Sequence, residues 1–286
     1  MSLPTKTKTL KTVWPVKQTV NLGNLITFRQ EIELICTAYG YSNALIFFEQ
    51  TPPQIQTQLS YFNDVLKSET IAIKVIFDCL GKEDVEWPPN DPEIEKWSYG
   101  SFKRVGLLHQ KTNLFPNLSW PLDNLNKAKD LYENLRTNCE KVIAVHLKNQ
   151  GKGQPEESNA QFSSWAEFFS ENLHIKFLLL GDDHFPSHLL TPNLVLARQM
   201  DVNLITQLAF CSLCDGFLGM AAGIATAACL STTPYVIFKH PSHHVAEMEI
   251  ELGDLDHLSF ALGNQKLWRI TDDLKNIRAG YEVLKS

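Results

Sequence analysis

Two patterns alternate along the chain: short apolar runs bounded by turn residues, and longer stretches with apolar residues three and four apart. In the first half, the pattern predicts a strand near "VKQTVNL", a turn at Gly23-Asn24 and a helix over "LITFRQEIELICTAYGY". Strands are predicted over "ALIFFE" and "IAIKVIFD". Strand, turn, helix and strand make a βαβ unit, which implies a parallel sheet with right-handed crossovers. The opening "MSLPTKTKTLKTVWPVK" reads as a solvated arm of alternating Lys and Thr. Between Lys82 and Asn126 the pattern dissolves into Pro, Trp, Asn and Asp. That length exceeds an idle connection, and its aromatic side chains either cover a sugar-binding cleft or pack the segment onto the core.

The second half alternates more regularly. A helix over "NLNKAKDLYENLRTN" leads to the strand "KVIAVHLKN", a loop from Gly151 to Ala160, the helix "SSWAEFFSENL" and the strand "IKFLLLGDD". Then follow "NLVLAR" as a strand, "NLITQLAFCSL" as a helix, "GFLG" as a strand, "IATAACLS" as a helix, "YVIFK" as a strand and a closing helix "TDDLKNIRAGYEVLK". The apolar run "LAFCSLCDGFLGMAAGIATAACL", Leu208 to Leu230, has the length of a membrane span, with Asp215 inside it. A charge at the bilayer centre costs about 3 kcal/mol on insertion scales. The run reads instead as a helix end, a strand and a helix start, with Asp215 leading into the strand.

A doubly wound α/β domain binds ligands at the carboxyl ends of its strands, so those ends are the candidate site. They carry Lys148, Asn149 and Gln150; Gly181, Asp182 and Asp183; Arg198 and Gln199; and Lys239 and His240. The small-residue turn Gly219, Met220, Ala221, Ala222 and Gly223, followed by Ile224, either lets a helix N-terminus approach an anion or only permits tight helix–sheet packing. Asp182-Asp183 suits metal or ribose binding, and equally a turn and helix cap. His240, His243, His244 and Glu247 lie in one loop and lack the helical spacing of a zinc site, so no metal is expected.

Charge narrows the partners. The net charge of −6 argues against nucleic acid and against more than peripheral membrane contact. Residues 1–138 balance 15 basic against 15 acidic side chains, whereas residues 139–286 hold 11 and 17. A phosphate site in the second half must therefore rest on a few local cations, and Lys148, Arg198 and Lys239 are those at strand ends. Six cysteines in mostly apolar surroundings, behind a start with no apolar signal region, are expected to be reduced thiols in a cytoplasm. Cys211 and Cys214 form a C-x-x-C inside an apolar run, where buried structural thiols are the better reading.

The second half resembles the nucleotide-sugar half of GT-B glycosyltransferases, in particular the heptosyltransferase-like branch. The stretch "CDGFLGMAAGIATAACLSTTPYVIFKHP" follows that branch's line without a gap. Asp215 stands at the Asp before the strand, Gly223 at the Gly of D-T-G-x-x-H, Ala228 at an alanine and Pro234 at the Pro before the last strand. Trp165 matches the K-x-W start of a helix, and "NLGNLITFRQEI" resembles the G-D turn that opens the N-terminal domain. The polar positions differ: Ala221 and Ala222 replace Asp and Thr, Thr226 the His, Ser163 the Lys, and Asn24 the Asp that resembles the family's general base.

The resemblance implies two Rossmann-like doubly wound α/β domains facing a cleft, an acceptor-side domain over 1–125 and a nucleotide-sugar-binding domain over 126–286. It implies metal-independent, inverting transfer from a nucleotide-sugar donor to a glycan or lipid-linked saccharide acceptor, with no cofactor. Lys148 and Lys239 would stabilise the departing diphosphate, with the Gly219–Gly223 turn beneath it and Asn149, Gln150, Asp182, Arg198 and His240 around the donor. A base would have to come from elsewhere, Glu49 and Asp78 being first-half acids at strand ends. A catalytically degenerate nucleotide- or sugar-binding protein and a nucleotide-sugar epimerase are the alternatives.

Overall fold

A computed structural model describes residues 8–14, 18–48, 59–77, 85–89, 101–150 and 156–285. The chain divides into two compact units, Met1–Pro121 and Leu122–Ser286. The helix that opens the second unit starts at Leu122, so a division at 125/126 falls inside it.

In the first unit, β1 (Thr9–Val13), β2 (Asn43–Phe47) and β3 (Ala72–Ile76) form a parallel sheet in the order β1-β2-β3. The expected solvated arm is thus partly a strand. Its Lys/Thr alternation is a half-buried strand pattern: Leu10 and Thr12 face the core, and Thr12 Oγ1 donates to the Leu45 carbonyl at 3.0 Å. The strand expected at "VKQTVNL" does not form; its described residues make the connection to helix α1 (Leu22–Tyr39). Gly23 and Asn24 are the first turn of α1 rather than a separate turn, because Asn21 caps the helix by accepting from the Asn24 N–H at 2.9 Å. At the other end Gly40, at φ +72°, closes the helix in the left-handed conformation.

Every residue of α1 from Leu25 to Cys36 is buried, including Arg29, Gln30, Glu31 and Glu33. Its partners are α2 (Leu59–Leu66) and α3 (Ser101–Thr112). Helix α3 lies in the stretch whose pattern dissolves, and its "SFKRVGLLHQKT" is polar enough to hide its period. It is anchored by an ion pair: Arg104, 1% exposed, meets Glu31 at 2.9 Å. Glu31 also accepts from Trp87 Nε1 at 2.7 Å, and Arg29 pairs with Glu33 at 3.0 Å. Trp87 and Trp120 pack into this core, the second under the Arg29 guanidinium at 5.1 Å, so these two aromatics do not cover a sugar site.

The second unit runs α4 (Leu122–Arg136), β4 (Lys141–His146), α5 (Phe162–Glu171), β5 (Ile175–Leu179), β6 (Leu194–Leu196), α6 (Leu204–Phe210), β7 (Gly216–Met220), α7 (Gly223–Cys229), β8 (Tyr235–Phe238), α8 (Val245–Leu252), β9 (Gln265–Trp268) and α9 (Leu274–Lys285). Helix α8 and strand β9 were not anticipated; β9 is only "QKLW", too short and too mixed to stand out. All six strands are parallel, in the order β6-β5-β4-β7-β8-β9. That is the doubly wound order, which reverses between β4 and β7 and leaves a crevice at their carboxyl ends. Helices α5 and α9 pack together on one side, and α4, α6 and α7 form a second group. A cluster of Trp165, Phe168, Phe169, Phe177 and Phe238 fills the first layer.

The Leu208–Leu230 run is resolved into the end of α6, β7 and α7. Asp215 sits just before β7 and ties the amino ends of two strands together, accepting from the Val142 N–H at 2.8 Å and pairing with Arg136 at 3.5 Å. No described helix is long and apolar enough to cross a membrane. The cysteines described are free, and burial pushes the Cys211 and Cys214 thiols well up, consistent with structural thiols.

Candidate functional site

The site is built at the crevice between β4 and β7. Strand β4 ends at His146, and two residues on Lys148 is half-buried. Strand β8 ends at Phe238, followed by Lys239, whose N–H donates to the Trp268 carbonyl and is thereby held in line with the sheet. Neither lysine makes a side-chain hydrogen bond or ion pair among the described residues.

Burial pulls the Lys148 ammonium below its ordinary range, with Asp183 opposing. Lys239 is pulled further, down to about 8, by burial first and by the Lys148 charge second, with Glu247 opposing. His243 is lowered to about 4 by burial and by Lys239, His244 and Lys148, so it is neutral at pH 7. Two desolvated, mutually repelling cations are the arrangement that an anionic ligand relieves.

The surrounding groups are held by the fold. Burial pulls the His146 imidazole below its ordinary range; because a carbonyl only accepts, Nδ1 carries the proton that is donated to Leu180 at 3.0 Å, and Nε2 lies 4.0 Å from Asp183. Gly181, at φ +92°, lets the chain turn against this ring; a Cβ there would stand 3.1 Å from it. Of the acidic pair, Asp183 faces His146 and Lys148, whereas Asp182 is exposed. Arg198 donates to the Asp183 carbonyl at 3.3 Å and meets His184 Nδ1 at 2.7 Å, which fastens the 182–185 loop. Asn149 does the same from the other side, donating to the His184 carbonyl at 2.7 Å, and the Gln150 N–H donates to Asn159.

The small-residue turn divides into parts. Gly219 is explained by packing, since a Cβ would lie 2.5 Å from the His146 carbonyl oxygen on the adjacent strand. The Ala221 N–H donates to the Phe238 carbonyl and extends the β7–β8 ladder. Ala222 caps α7 without a side-chain acceptor, so Gly223 and Ile224 open that seven-residue helix with no side-chain hydrogen bond from the cap.

Beside Lys239 is a cavity of about 550 Å³ bordered by Met220, Phe238 and His240, and by the segments 157–161 and 270–272. Its position beyond β9 and α5 was not legible: Asp272, Thr271, Gln161 and Glu157 come from turns with no motif around them. Met220 and His240, singled out at strand ends, border it, and Trp165, whose Nε1 donates to Asp272 at 2.7 Å, also points toward this corner. His240 Nδ1 contacts the Ser242 hydroxyl at 2.8 Å, and among the described residues no group of three or more His, Cys, Asp and Glu is placed to hold a metal ion. Glu49 and Asp78 lie outside the described residues.

By topology alone the second unit is a Rossmann-like domain with its open site at the switch point of the sheet. No protein-family model and no curated protein matches the sequence. Two solved structures are similar over nearly the whole chain. A glycosyl transferase family 9 protein of Veillonella parvula shares 11% identity, covering 97% of each chain, at a TM-score of 0.55. The ADP-heptose lps heptosyltransferase II of E. coli shares 10% identity, covering 97% of this chain and 98% of its own, at 0.54. At such identity the likeness is one of fold, and the fold is that of GT-B glycosyltransferases.

Proposed function

We propose that the chain is a glycosyltransferase whose second unit binds a nucleotide-sugar donor and whose acceptor is a glycan or glycoconjugate. The observation that carries this reading is the Lys148–Lys239 pair at the carboxyl ends of β4 and β8, desolvated and, among the described residues, without an acidic partner in contact. Transfer of a glycosyl group builds negative charge on the departing diphosphate, and preorganised cations stabilise that charge without a metal. The fold likeness supports the reading, as does the cavity beside Lys239, with room for more than a diphosphate.

Thermal shift against UDP, GDP, ADP and CMP, followed by their sugar conjugates, tests it. At least one nucleotide should raise the melting temperature, and Lys148→Ala and Lys239→Ala should each weaken its binding by more than about 1 kcal/mol. Wild-type affinity in both variants, or no stabilisation by any nucleotide, refutes it.

A second reading, a nucleotide- or sugar-binding protein that does not catalyse, draws on Asn24. Its side chain is committed to the entrance of α1, donating to the Thr19 carbonyl at 2.7 Å, and an amide takes no proton at neutral pH. Glu31 and Glu33, nearby on α1, are bound up in buried pairs. Slow hydrolysis of the bound sugar conjugate separates a transferase from a binder, which leaves it intact.

A further inference from the structure

Asp272 lies in the turn between β9 and α9, is 5% exposed and borders the cavity. Its Oδ2 is fully engaged: it accepts from the Gln161 N–H at 3.0 Å and from Trp165 Nε1 at 2.7 Å, capping the start of α5. Its Oδ1 makes no hydrogen bond among the described residues. With Oδ2 tied down, Oδ1 is the carboxylate oxygen left to accept from a group that enters the cavity Asp272 borders.

We propose that this cavity binds the hydroxyl-bearing ring of a saccharide, with Asp272 Oδ1 accepting from its hydroxyls; the proposal rests on the donor reading above. Three features select that chemistry. Asp272 and Glu157 bring two carboxylates to the wall, so a phosphate is repelled and belongs with Lys148 and Lys239. Asn159, whose Oδ1 accepts from Gln150, retains its amide N–H donors, and Ser242 and Thr271, whose hydroxyls are bonded to His240 and Asp273, retain oxygen lone pairs that accept, so the wall carries donors and acceptors for a ring of hydroxyls. Met220, Phe238 and Ile270 add apolar surface, against which the C–H face of a sugar ring packs. The same chemistry belongs to the transferred sugar and to the ribose of the donor, both of which adjoin a diphosphate.

Asp272→Asn provides a nearly isosteric test. The Asn Oδ1 keeps both structural acceptances from Gln161 and Trp165, while the group facing the cavity changes from acceptor to donor. The variant should melt within a few degrees of wild type. Glu157→Gln, at an exposed position, is a second variant free of any capping role.

The probes are UDP, GDP and ADP, their 2′- and 3′-deoxy forms, and their glucose conjugates, with affinity measured by calorimetry on the full chain. Asp272→Asn should cost about tenfold or more, and Glu157→Gln a smaller loss. If only the sugar conjugate loses affinity, the occupant is the transferred sugar. If the diphosphate loses affinity and wild type binds its deoxy form as weakly, the occupant is the ribose. Both outcomes uphold the proposal. Unchanged affinities in both variants overturn it and leave the donor reading standing. If the variants weaken the diphosphates themselves while wild type shows no penalty for the deoxy forms, a base occupies the cavity and the proposal is overturned. If no probe binds wild type, the donor reading fails and the saccharide assignment falls with it.

Discussion

Replacing Lys239 by methionine should stabilise the unliganded protein while weakening its hold on anions. Burial and the Lys148 charge bring the Lys239 ammonium from 10.5 to about 8. At 1.36 kcal/mol per unit this is about 3 kcal/mol of disfavour toward the charged form, present in the folded state only. The sign follows from proton counts. Below pH 8 the amine is charged in both states, and the folded state carries the full penalty. Between about 8 and 10.5 the unfolded chain binds more protons than the folded one, so stability rises with pH. Above that range the penalty is gone. Lys239→Met keeps most of the aliphatic stem and removes the charge, so at pH 7 it should gain about 1–3 kcal/mol. For a unit of this size that raises the melting temperature by about 2–4 °C per kcal/mol. Melting curves of wild type and variant from pH 7 to 10.5 are the assay, and the difference between them isolates this group. The gap should close as pH rises, and millimolar pyrophosphate should stabilise wild type much more than the variant. A variant less stable than wild type at pH 7, or a gap independent of pH, refutes the claim that Lys239 is a strained, ligand-awaiting cation.

Two further outcomes concern the frame that holds the site. Gly219→Ala places a Cβ 2.5 Å from the His146 carbonyl oxygen, where two paired strands cannot give way, so urea unfolding should show a loss of at least about 1–3 kcal/mol together with weaker nucleotide binding. In the first unit, Arg104→Met leaves Glu31 buried with Trp87 as its one side-chain donor among the described residues, and should cost about 3–5 kcal/mol in the same measurement, whereas Arg104→Met with Glu31→Leu should recover much of it. Equal losses in the single and double variants count against the pair as the anchor of α3.

The second unit was legible because its strands are buried on both faces and read as continuous apolar runs, such as "KVIAVH" and "IKFLL", between amphipathic helices. The first unit was less so. Strand β1 carries Lys and Thr on a half-exposed edge; α1 was legible as a helix, but not its burial on all sides, since its charges are neutralised by partners distant in sequence such as Arg104. Composition at strand ends singled out Lys148 and Lys239, since cations are scarce in the second half. It could not find His146 or Asp183 as their neighbours, because those contacts depend on which strands adjoin. Asp272 was hidden for the same reason: its role arises from the meeting of the β9–α9 turn with the start of α5, more than a hundred residues apart.

Trp165 ties these observations together. Its likeness to the tryptophan of a K-x-W helix start gives no physical reason for a tryptophan, least of all with Ser163 where the lysine would be. The structure supplies one. The indole is fully buried among Phe168, Phe169 and Phe238, and its single polar atom fixes the Asp272 carboxylate at the cavity edge. Phe238 in turn borders the cavity and directly precedes Lys239. One buried ring thus orients both the proposed acceptor for sugar hydroxyls and the end of the strand that carries a proposed phosphate-binding cation. Trp165→Phe keeps the apolar contact and deletes the N–H, freeing Asp272 Oδ2 from one of its two donors. On the proposed reading such a change blurs recognition of the sugar ring before it touches the diphosphate, because the Lys239 backbone is held by its bond to the Trp268 carbonyl, which the indole nitrogen does not enter.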